Sequence, residues 1–255
     1  MTLRRLQKWH GAGNDFLVDV QEPGADPWWT AASARDVCHR SYGVGADGLL
    51  VATLGSPVNM VLFNADGSLA EMSGNGIRCL AAAVRRATGG TWGDLDVMTG
   101  AGQRRVALAM NGLTGEGSVA MGEVSFGPAL EGTLGVANVG NPHVVVVDDP
   151  SWSVSEREAK AARWSASVGG ANVEFITIRD PRRLVLTVLE RGVGWTLACG
   201  TGSVASAAVA RRAGLTGDDV TVVNPGGELR VTLEGLAATL SGPVAFVADV
   251  EWSAP

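Results

Sequence analysis

The chain has 255 residues and a formal net charge of −6, with 46% hydrophobic and 18% charged residues. This composition is typical of a globular protein with a sizeable core, not of a disordered chain. Because the charge is negative and no basic run occurs, we expect neither nucleic acid nor an anionic membrane as a partner. No apolar stretch approaches the roughly 18 residues of a membrane span, and the N-terminus lacks the apolar segment of a signal peptide, which predicts a cytoplasmic protein.

Hydrophobic periodicity and turn residues predict many short strands and three helices. Asp26 and Pro27 favour the start of the first helix, and Gly43 favours its end. The third helix has no charge from Thr201 to Ala210, which indicates that it is buried. In chain order we predict strands within 3–20 broken by a turn at 11–14, a helix through 31–42, strands at 49–52 and 58–63, a helix at 73–86, strands at 94–99, 104–110, 118–121, 134–138, 143–147, 172–178 and 183–190, a helix at about 200–213, and strands at 219–223, 228–232, 237–240 and 244–250.

A glycine-rich segment and the cysteines could suggest nucleotide binding or metal binding, but we interpret both as structural features. Residues 43–48 spell G-x-G-x-x-G, but they follow a helical pattern and open a strand, whereas a dinucleotide-binding loop follows a strand and opens a helix. The three cysteines lack the spacing of a disulfide framework or a metal site. We therefore expect Cys38 and Cys79 to be buried packing residues, and we expect no nucleotide, metal or other cofactor.

One segment of the chain occurs twice. Ser73 precedes Gly-Asn-Gly, Cys199 precedes Gly-Thr-Gly, and the two residues lie 126 positions apart. The same offset relates Asn64 to Glu190, nine residues upstream of each, and it relates two Arg-Arg-Ala runs downstream. A unit of strand, nine-residue loop and helix has therefore been used twice, which predicts two domains of similar fold.

The two glycine-rich segments predict two helix starts that bind an anion. Glycines let a ligand approach the backbone closely, and the first N–H groups of a helix are unpaired and partially positive. A Cys at such a position is expected to have a lowered pKa, because the helix start stabilises its thiolate. Two such starts facing each other would hold one carboxylate between two acid–base groups, Ser73 and Cys199.

Further motifs extend this pattern over nearly the whole chain. They are G-x-G-N-D-F at 11–16, G-V-G-A-D-G at 43–48, F-N-A-D-G-S at 63–68, G-N-G-x-R-C at 74–79, G-N-P-H at 140–143, N-V-E-F at 172–175, and E-R-G at 190–192 leading into A-C-G-T-G at 198–202. In order and spacing they resemble the diaminopimelate epimerase family. The resemblance implies an α/β (α+β) fold of two pseudo-symmetric domains, each a mixed, mostly antiparallel sheet wrapped round a central helix.

The predicted domain limits combine composition with this resemblance. The Gly-rich, polar segment 111–118 predicts the boundary, and the resemblance implies that the last strand returns to the first domain. We therefore expect a first domain at 1–114 plus about 244–255, a second domain at 115–243, and an active site in the cleft between them. A homodimer is one assembly that we consider, and the sequence does not decide the oligomeric state.

The family's reaction interconverts LL- and meso-2,6-diaminopimelate, a small molecule, by inversion at one α-carbon without pyridoxal phosphate. It needs a base on one face, an acid on the other and stabilisation of the carbanion. The resemblance implies proton transfer by Cys199 and position 73, and Arg191 suits a distal carboxylate because its guanidinium binds in two-pronged geometry. It also implies that the amides of Gly74, Asn75, Gly200 and Thr201 hold the α-carboxylate, that His143 and Glu190 meet the α-amino end, and that Asn14, Asn64, Asn141, Asn172 and Arg191 surround the rest of the substrate.

Two residues depart from the family's pattern. Ser73 stands where the family has a catalytic Cys, and a hydroxyl is a poorer acid and base than a thiol. An engineered substitution, a natural Ser as in some proline racemase-like enzymes, and loss of catalysis with retained binding each explain it. Trp195 stands where the family commonly has Glu, and we expect it to reshape the pocket edge.

Two alternatives remain beside the epimerase hypothesis. One is another racemase or dehydratase of the same superfamily, for instance one acting on hydroxyproline. Arg191 and the asparagines argue against it, because a proline ring has no distal charged end. The other is a non-catalytic amino-acid-binding protein, which would bind the substrate without exchanging its α-hydrogen.

Overall fold

The structure, a computed structural model, describes residues 3–91 and 93–253. The chain divides into two compact units: unit 1 comprises Met1–Val119 and Gly242–Pro255, and unit 2 comprises Ala120–Ser241. The predicted first domain also includes residues 1, 2, 92, 254 and 255, which lie outside the described residues. None of the described helices is long and apolar enough to cross a membrane.

The described residues form short strands and four helices, as the hydrophobic patterns predict for most of the chain. In order they are β1 (Leu3–Gly11), β2 (Asn14–Gln21), α1 (Ala31–Cys38), β3 (Gly48–Thr53), β4 (Val58–Asn64), β5 (Leu69–Ala70), α2 (Gly74–Thr88), β6 (Asp94–Thr99), β7 (Gly102–Asn111), β8 (Thr114–Glu123), β9 (Ser125–Phe126), β10 (Gly135–Asn138), β11 (Pro142–Val147), α3 (Val154–Ser167), β12 (Asn172–Asp180), β13 (Arg183–Glu190), β14 (Gly194–Thr196), α4 (Gly200–Arg212), β15 (Asp219–Asn224), β16 (Gly227–Glu234) and β17 (Ala237–Ser253).

Strand pairing repeats in the two units. In unit 1, β1 pairs antiparallel with β17 and β2, β2 pairs parallel with β3, and β3 and β5 flank β4 antiparallel. β4 then pairs parallel with β6, and β6, β7 and β8 are antiparallel neighbours. Unit 2 gives the same series of antiparallel and parallel pairs from β9 to β17. The duplication predicted from the sequence is thus confirmed in the fold.

Each unit is built around one helix. α2 contacts strands β1, β2, β3, β6 and β7, and α4 contacts β10 to β13, β15 and β16. The runs Gly74–Val84 and Gly200–Ala210 are buried throughout. For α4 this confirms the burial predicted from its lack of charged residues between Thr201 and Ala210. The arginines in the last turn of each helix complement its dipole. The predicted fold class, a mixed, mostly antiparallel sheet around a central helix in each half, is confirmed.

α1 is shorter than predicted at both ends. Thr30 and Ser33 cap its start reciprocally: each side-chain oxygen accepts a hydrogen bond from the other's backbone N–H, at 3.2 and 2.9 Å. After its end, Nδ1 of His39 accepts from the backbone N–H groups two and three residues later, at 3.1 Å each, which turns the chain out of the helix. The predicted extent, from residue 26 to residue 42, is therefore wrong.

Three further segments differ from the prediction. α3 has no predicted counterpart, because Ala161 is its single buried residue among those described and the helix shows no apolar stripe. Residues 114–118, part of the predicted boundary, lie in β8 after a tight turn. β17 is one strand and not two. Pro243 is tolerated because pairing with β16 ends at Ser241 and pairing with β1 begins at Ala245.

Removing the cap of α3 should destabilise the protein. Oγ of Ser153 accepts from the backbone N–H of Glu156 at 3.3 Å and donates to its carboxylate at 2.8 Å. Ser153→Ala should therefore lower the free energy of unfolding by about 1 kcal/mol, measured by urea denaturation. The control Ser167→Ala removes one exposed bond to the carbonyl of Arg163 and should cost less than ~0.5 kcal/mol. Equal costs for the two variants would contradict the capping role.

Candidate active site

α2 and α4 begin in the same way. Ser73 and Cys199 are their N-cap residues, with extended backbone angles of φ −135°, ψ 124° and φ −123°, ψ 116°. Oγ of Ser73 accepts from the backbone N–H of Gly76 at 3.0 Å, and Sγ of Cys199 accepts from that of Gly202 at 3.3 Å. The N–H groups of residues 74, 75, 200 and 201 have no partner within their helices, so each helix start offers two donors to an anion.

The asparagines of unit 1 divide into two groups. Nδ2 of Asn75, which is buried, donates to Oδ1 of Asn14 at 3.1 Å. Nδ2 of Asn14 donates to Oδ2 of Asp47 at 2.7 Å, so Asn14 and Asn75 meet beside the start of α2. Asn64 instead donates to Oγ of Ser68 at 3.0 Å, within its own turn. The structure therefore joins two of the three predicted ligand asparagines in this unit.

Cys199 lies among polar groups from three elements of unit 2. Its Sγ is 3.9 Å from Nδ2 of Asn172 and 3.5 Å from Oγ1 of Thr201. Burial raises the pKa of the neighbouring Glu190 carboxyl, and the thiol of Cys199 is among the groups that oppose this rise. Oγ1 of Thr196 donates to Oε1 of Glu190 at 2.5 Å and thereby orients the carboxylate. Asn172, Glu190 and Cys199, all predicted site residues, therefore lie together.

His143 is held by a second buried group. Its Nδ1 lies 2.6 Å from Oε1 of Glu174, its Nε2 lies 3.0 Å from Oδ1 of Asn141, and both His143 and Glu174 are fully buried. These two contacts hold the imidazole ring in one orientation between Glu174 and Asn141. A Cβ atom at Gly202 would lie 2.7 Å from Oε1 of Glu174, which places this pair directly against the first turn of α4.

The surroundings of Cys199 raise the pKa of its thiol. Burial is the largest cause, and the negative charges of Glu190 and Glu174 add to it. The lowered pKa expected from the helix start is therefore wrong, because these effects exceed the stabilisation by nearby N–H and hydroxyl donors. Cys199 keeps its proton in the free protein, and Glu190 is placed to accept it. Burial also raises the pKa of Glu190.

The other two cysteines are packing residues, as predicted. Cys38 and Cys79 are buried and free, and burial is the main cause that raises the pKa of each thiol to about 12. Within residues 3–91 and 93–253, no three His, Cys, Asp or Glu side chains are grouped so as to hold a metal ion. Residues 43–48 follow α1 and lead into β3, which is the wrong order for a dinucleotide-binding loop.

The side chain of Arg191 is open to a ligand. Its Nη1 donates to the carbonyl oxygen of Gly170 at 3.4 Å, and no carboxylate of the described residues forms an ion pair with it. Its backbone N–H donates to Oδ1 of Asn172 at 3.0 Å, which ties its position to that of the asparagine beside Cys199. Gly170 has φ 103°, and a Cβ atom there would lie 3.1 Å from Cδ of Arg191. A glycine thus leaves room for this side chain.

The comparisons with known proteins agree with this geometry. The model of the diaminopimelate epimerase family matches residues 6–127 and 135–247. The chain belongs to the diaminopimelate epimerase family. It is 38% identical to the diaminopimelate epimerase of Methanocella arvoryzae over 100% of both chains. It is 33% identical to that of Clostridium perfringens, covering 96% of this chain and 98% of the relative.

Solved structures show the fold at lower sequence identity. A predicted epimerase from Pseudomonas aeruginosa superimposes with a TM-score of 0.78 at 14% identity, covering 99% of this chain and 100% of that one. A hydroxyproline epimerase from Agrobacterium vitis gives a TM-score of 0.75 at 14% identity, covering 99% and 91%. The diaminopimelate epimerase family thus shares its architecture with other epimerases.

Trp195, one of the two departures from the diaminopimelate epimerase pattern, faces away from Cys199. Its Nε1 donates to Oε1 of Glu158 on α3 at 2.9 Å, and its ring lies 5.8 Å from that of Phe175. Successive residues of a strand point to opposite faces, and the next residue, Thr196, is the one that bonds to Glu190. The effect of Trp195 on the pocket edge stays a prediction.

Glu174 is the site residue that the sequence reasoning missed. It belongs to the N-V-E-F motif of the diaminopimelate epimerase pattern, but it was not expected to act in the site. A signal was present, because a lone charge in the predicted buried strand 172–178 needs a partner. That partner, His143, comes from the neighbouring parallel strand β11.

Removing the charge of Glu174 should make Cys199 more reactive. The Glu174 carboxylate helps to raise the pKa of the thiol, so Glu174→Gln should increase the thiolate fraction at pH 8 and speed alkylation by iodoacetamide roughly 3- to 10-fold. Mass spectrometry can follow Cys199, with Cys38 and Cys79 as internal references. The exposed-carboxylate variant Glu131→Gln should leave all three rates unchanged. Unaltered labelling of Cys199 in Glu174→Gln would rule out this electrostatic effect.

Proposed function

We propose that the protein is a diaminopimelate epimerase that interconverts LL- and meso-2,6-diaminopimelate by moving a proton at one α-carbon. Relatives of this name match the whole chain. The observation that carries the proposal is the pair of equivalent helix starts, each capped by a residue able to transfer a proton, Ser73 and Cys199. Inversion needs one such group for each face of the carbon, and the duplicated unit supplies two.

The reaction takes two proton transfers at the α-carbon, and the protein is then reset: the proton that Glu190 has taken passes to solvent, and position 73 regains a proton from solvent. The N–H groups of residues 74, 75, 200 and 201 bind the α-carboxylate and stabilise the negative charge that develops next to it. Glu190 accepts the proton of Cys199, and the resulting thiolate removes the α-hydrogen. Position 73 delivers a proton to the opposite face, and the steps reverse for the other isomer. Burial raises the pKa of Glu190, and His143, which Glu174 holds in place, opposes part of this rise.

Ser73 makes one of these transfers slow. A hydroxyl gives up and accepts a proton less readily than a thiol, and a well-placed acid–base group contributes roughly 10²–10⁴-fold to a rate. Its Oγ accepts from Gly76 N–H, so its position at the helix start matches that of Cys199. We therefore propose an epimerase with a correctly placed but weak second acid–base group.

The open guanidinium of Arg191 favours diaminopimelate over a cyclic amino acid. Diaminopimelate carries an ammonium and a carboxylate at each end, whereas hydroxyproline has no distal charge for Arg191 to bind. A protein that binds without catalysis differs from an epimerase in one measurable way, because it exchanges no α-hydrogen. The cytoplasmic location stays a prediction, and the oligomeric state stays undecided.

Replacing Ser73 with Cys should restore the second proton transfer. In heavy water the unmodified protein should exchange the α-hydrogen of one isomer slowly and invert it more slowly still, because Cys199 serves only one face. Ser73→Cys should speed inversion of both isomers by roughly 10²–10⁴-fold. NMR measures the exchange, and chiral chromatography measures the inversion.

A thiol placed elsewhere is the matched control for this variant. Ser151→Cys adds a cysteine at an exposed position and should leave the rate of inversion unchanged. If Ser73→Cys binds diaminopimelate but inverts it no faster than Ser151→Cys does, the two-base mechanism is wrong. Equal exchange of both isomers by the unmodified protein would show that a group other than Cys199 acts as the base.

The role of Arg191 in specificity can be tested by a charge-conserving substitution. Arg191→Lys keeps the charge but loses the two-pronged geometry, so diaminopimelate binding should weaken by about 1–3 kcal/mol in calorimetry. Binding of lysine, which lacks a distal carboxylate, should change little. The exposed variant Arg182→Lys serves as the control and should bind both ligands normally. Unchanged diaminopimelate affinity in Arg191→Lys would remove the basis for this substrate assignment.

A further inference from the structure

Arg78, four residues into α2, is a buried cation without a counter-ion. Its side chain is fully buried, and no carboxylate in residues 3–91 and 93–253 forms an ion pair with it. Nη1 donates to the carbonyl oxygen of Gly74 at 2.8 Å, Nη2 donates to Oδ1 of Asn75 at 2.8 Å, and Nε has no partner in the described residues. Burial lowers the pKa of the guanidinium to about 10 and exceeds the opposing effect of Glu116, which acts without forming an ion pair, so the guanidinium stays charged at neutral pH.

Two glycines keep the space that this side chain fills. A Cβ atom at Gly117 on β8 would lie 2.9 Å from Cδ of Arg78, and one at Gly11 on β1 would lie 3.1 Å from Nη2. A Cβ atom at Gly117 would force a shift, and one at Gly11 would press on its neighbour, so both strands approach the Arg78 side chain closely because they lack a side chain here. The neighbouring strands are therefore shaped for an arginine.

The equivalent position of the second unit is occupied by an uncharged residue. The residue 126 positions after Arg78 is Val204, which is buried in α4. Burying a cation without an anion is unfavourable, and a positive charge close to a helix start also opposes the helix dipole. Both effects make Arg78 unfavourable for the free energy of folding, and Val204 has neither. This indicates a role of Arg78 in function and not in stability.

Arg78 also sets the direction of a hydrogen-bond chain. Because its Nη2 donates to Oδ1 of Asn75, the amide nitrogen of Asn75 points to Oδ1 of Asn14. The amide nitrogen of Asn14 in turn donates to Asp47. These hydrogen bonds run from the Arg78 guanidinium to the Asp47 carboxylate. They fix the orientation of the side-chain amides of Asn75 and Asn14 beside the start of α2.

We propose that Arg78 is a positioning residue that supplies a buried positive charge behind the anion-binding start of α2, and that the substrate carboxylate is its counter-ion. The proposal rests on the proposed function, in which the N–H groups of residues 74 and 75 bind that carboxylate. A buried charge is screened by solvent and salt far less than a surface arginine, so it acts on an anion that it does not touch. The bound anion offsets both of the costs that Arg78 carries in the free protein.

The test compares variants that remove the charge with one that keeps it. Arg78→Met and Arg78→Gln should weaken the binding of meso-diaminopimelate by roughly 10- to 100-fold in calorimetry, whereas Arg78→Lys should keep most of the affinity. The thermal midpoint of Arg78→Met should be unchanged or higher, because a buried unpaired charge has been removed. Arg35→Met, which removes an exposed charge from α1, should bind normally.

The possible outcomes distinguish a failure of the role of Arg78 from a failure of the proposed function. Tight binding by Arg78→Met and Arg78→Gln, or binding by Arg78→Lys as weak as theirs, overturns the role of the charge. If Arg78→Met does not fold, Arg78→Gln, which can still donate to the carbonyl oxygen of Gly74, decides the question. If the unmodified protein does not bind meso-diaminopimelate, the proposed function and this inference both fail. If it binds but the variants bind equally well, only the inference about Arg78 fails.

Discussion

Each unit buries the start of its central helix, and the unpaired N–H groups there need hydrogen-bond acceptors. The rest of the unit depends on this requirement. A buried helix start is unfavourable unless its donors find acceptors. Ser73 and Cys199 each satisfy one donor, at Gly76 and Gly202, and leave two others for a ligand. The surrounding strands keep the first eleven residues of each helix away from water. An anion bound there meets donors that solvent screens weakly.

The two copies of the unit have diverged in the charges that they bury. Strand register matches Phe16 in unit 1 to His143 in unit 2, because these residues pair with Gly48 and Asn172 at equivalent positions. A Cβ atom at Gly76 would lie 3.3 Å from the ring of Phe16, so the first turn of α2 rests on an apolar group. The first turn of α4 rests on the His143–Glu174 pair instead. The same backbone thus surrounds its two acid–base positions with different electrostatics.

Local signals explain which features the sequence predicts well. The register of the duplication, both helix starts and most strands follow from glycine positions and from periods of two or 3.6 residues, which act over a few neighbours. α3 was missed because its stability depends on a cap at Ser153 and Glu156 and on few buried contacts, so the hydrophobic pattern is weak. Its Ser-x-x-Glu signature was nonetheless present in the sequence.

The electrostatics of the site could not be read from the sequence in the same way. The pKa of Cys199 depends on carboxylates from β12 and β13, which only the folded sheet brings to the start of α4. A helix-start rule considers one element and therefore predicts the opposite direction. The orientation of Trp195 likewise depends on which face of β14 meets α3, because the alternation of a short strand has no absolute sense until its neighbours are placed.

The continuous strand β17 also bears on how the protein is made. β1 pairs with β17 from Leu3 opposite Ser253 to His10 opposite Ala245, so β1 leaves the ribosome long before the strand that it pairs with. All residues of unit 2 are synthesised before that pairing can form, which reverses the usual order in which the N-terminal part of a chain folds first. During translation one edge of β1 therefore stays open, and an open strand edge is a site for pairing with other chains.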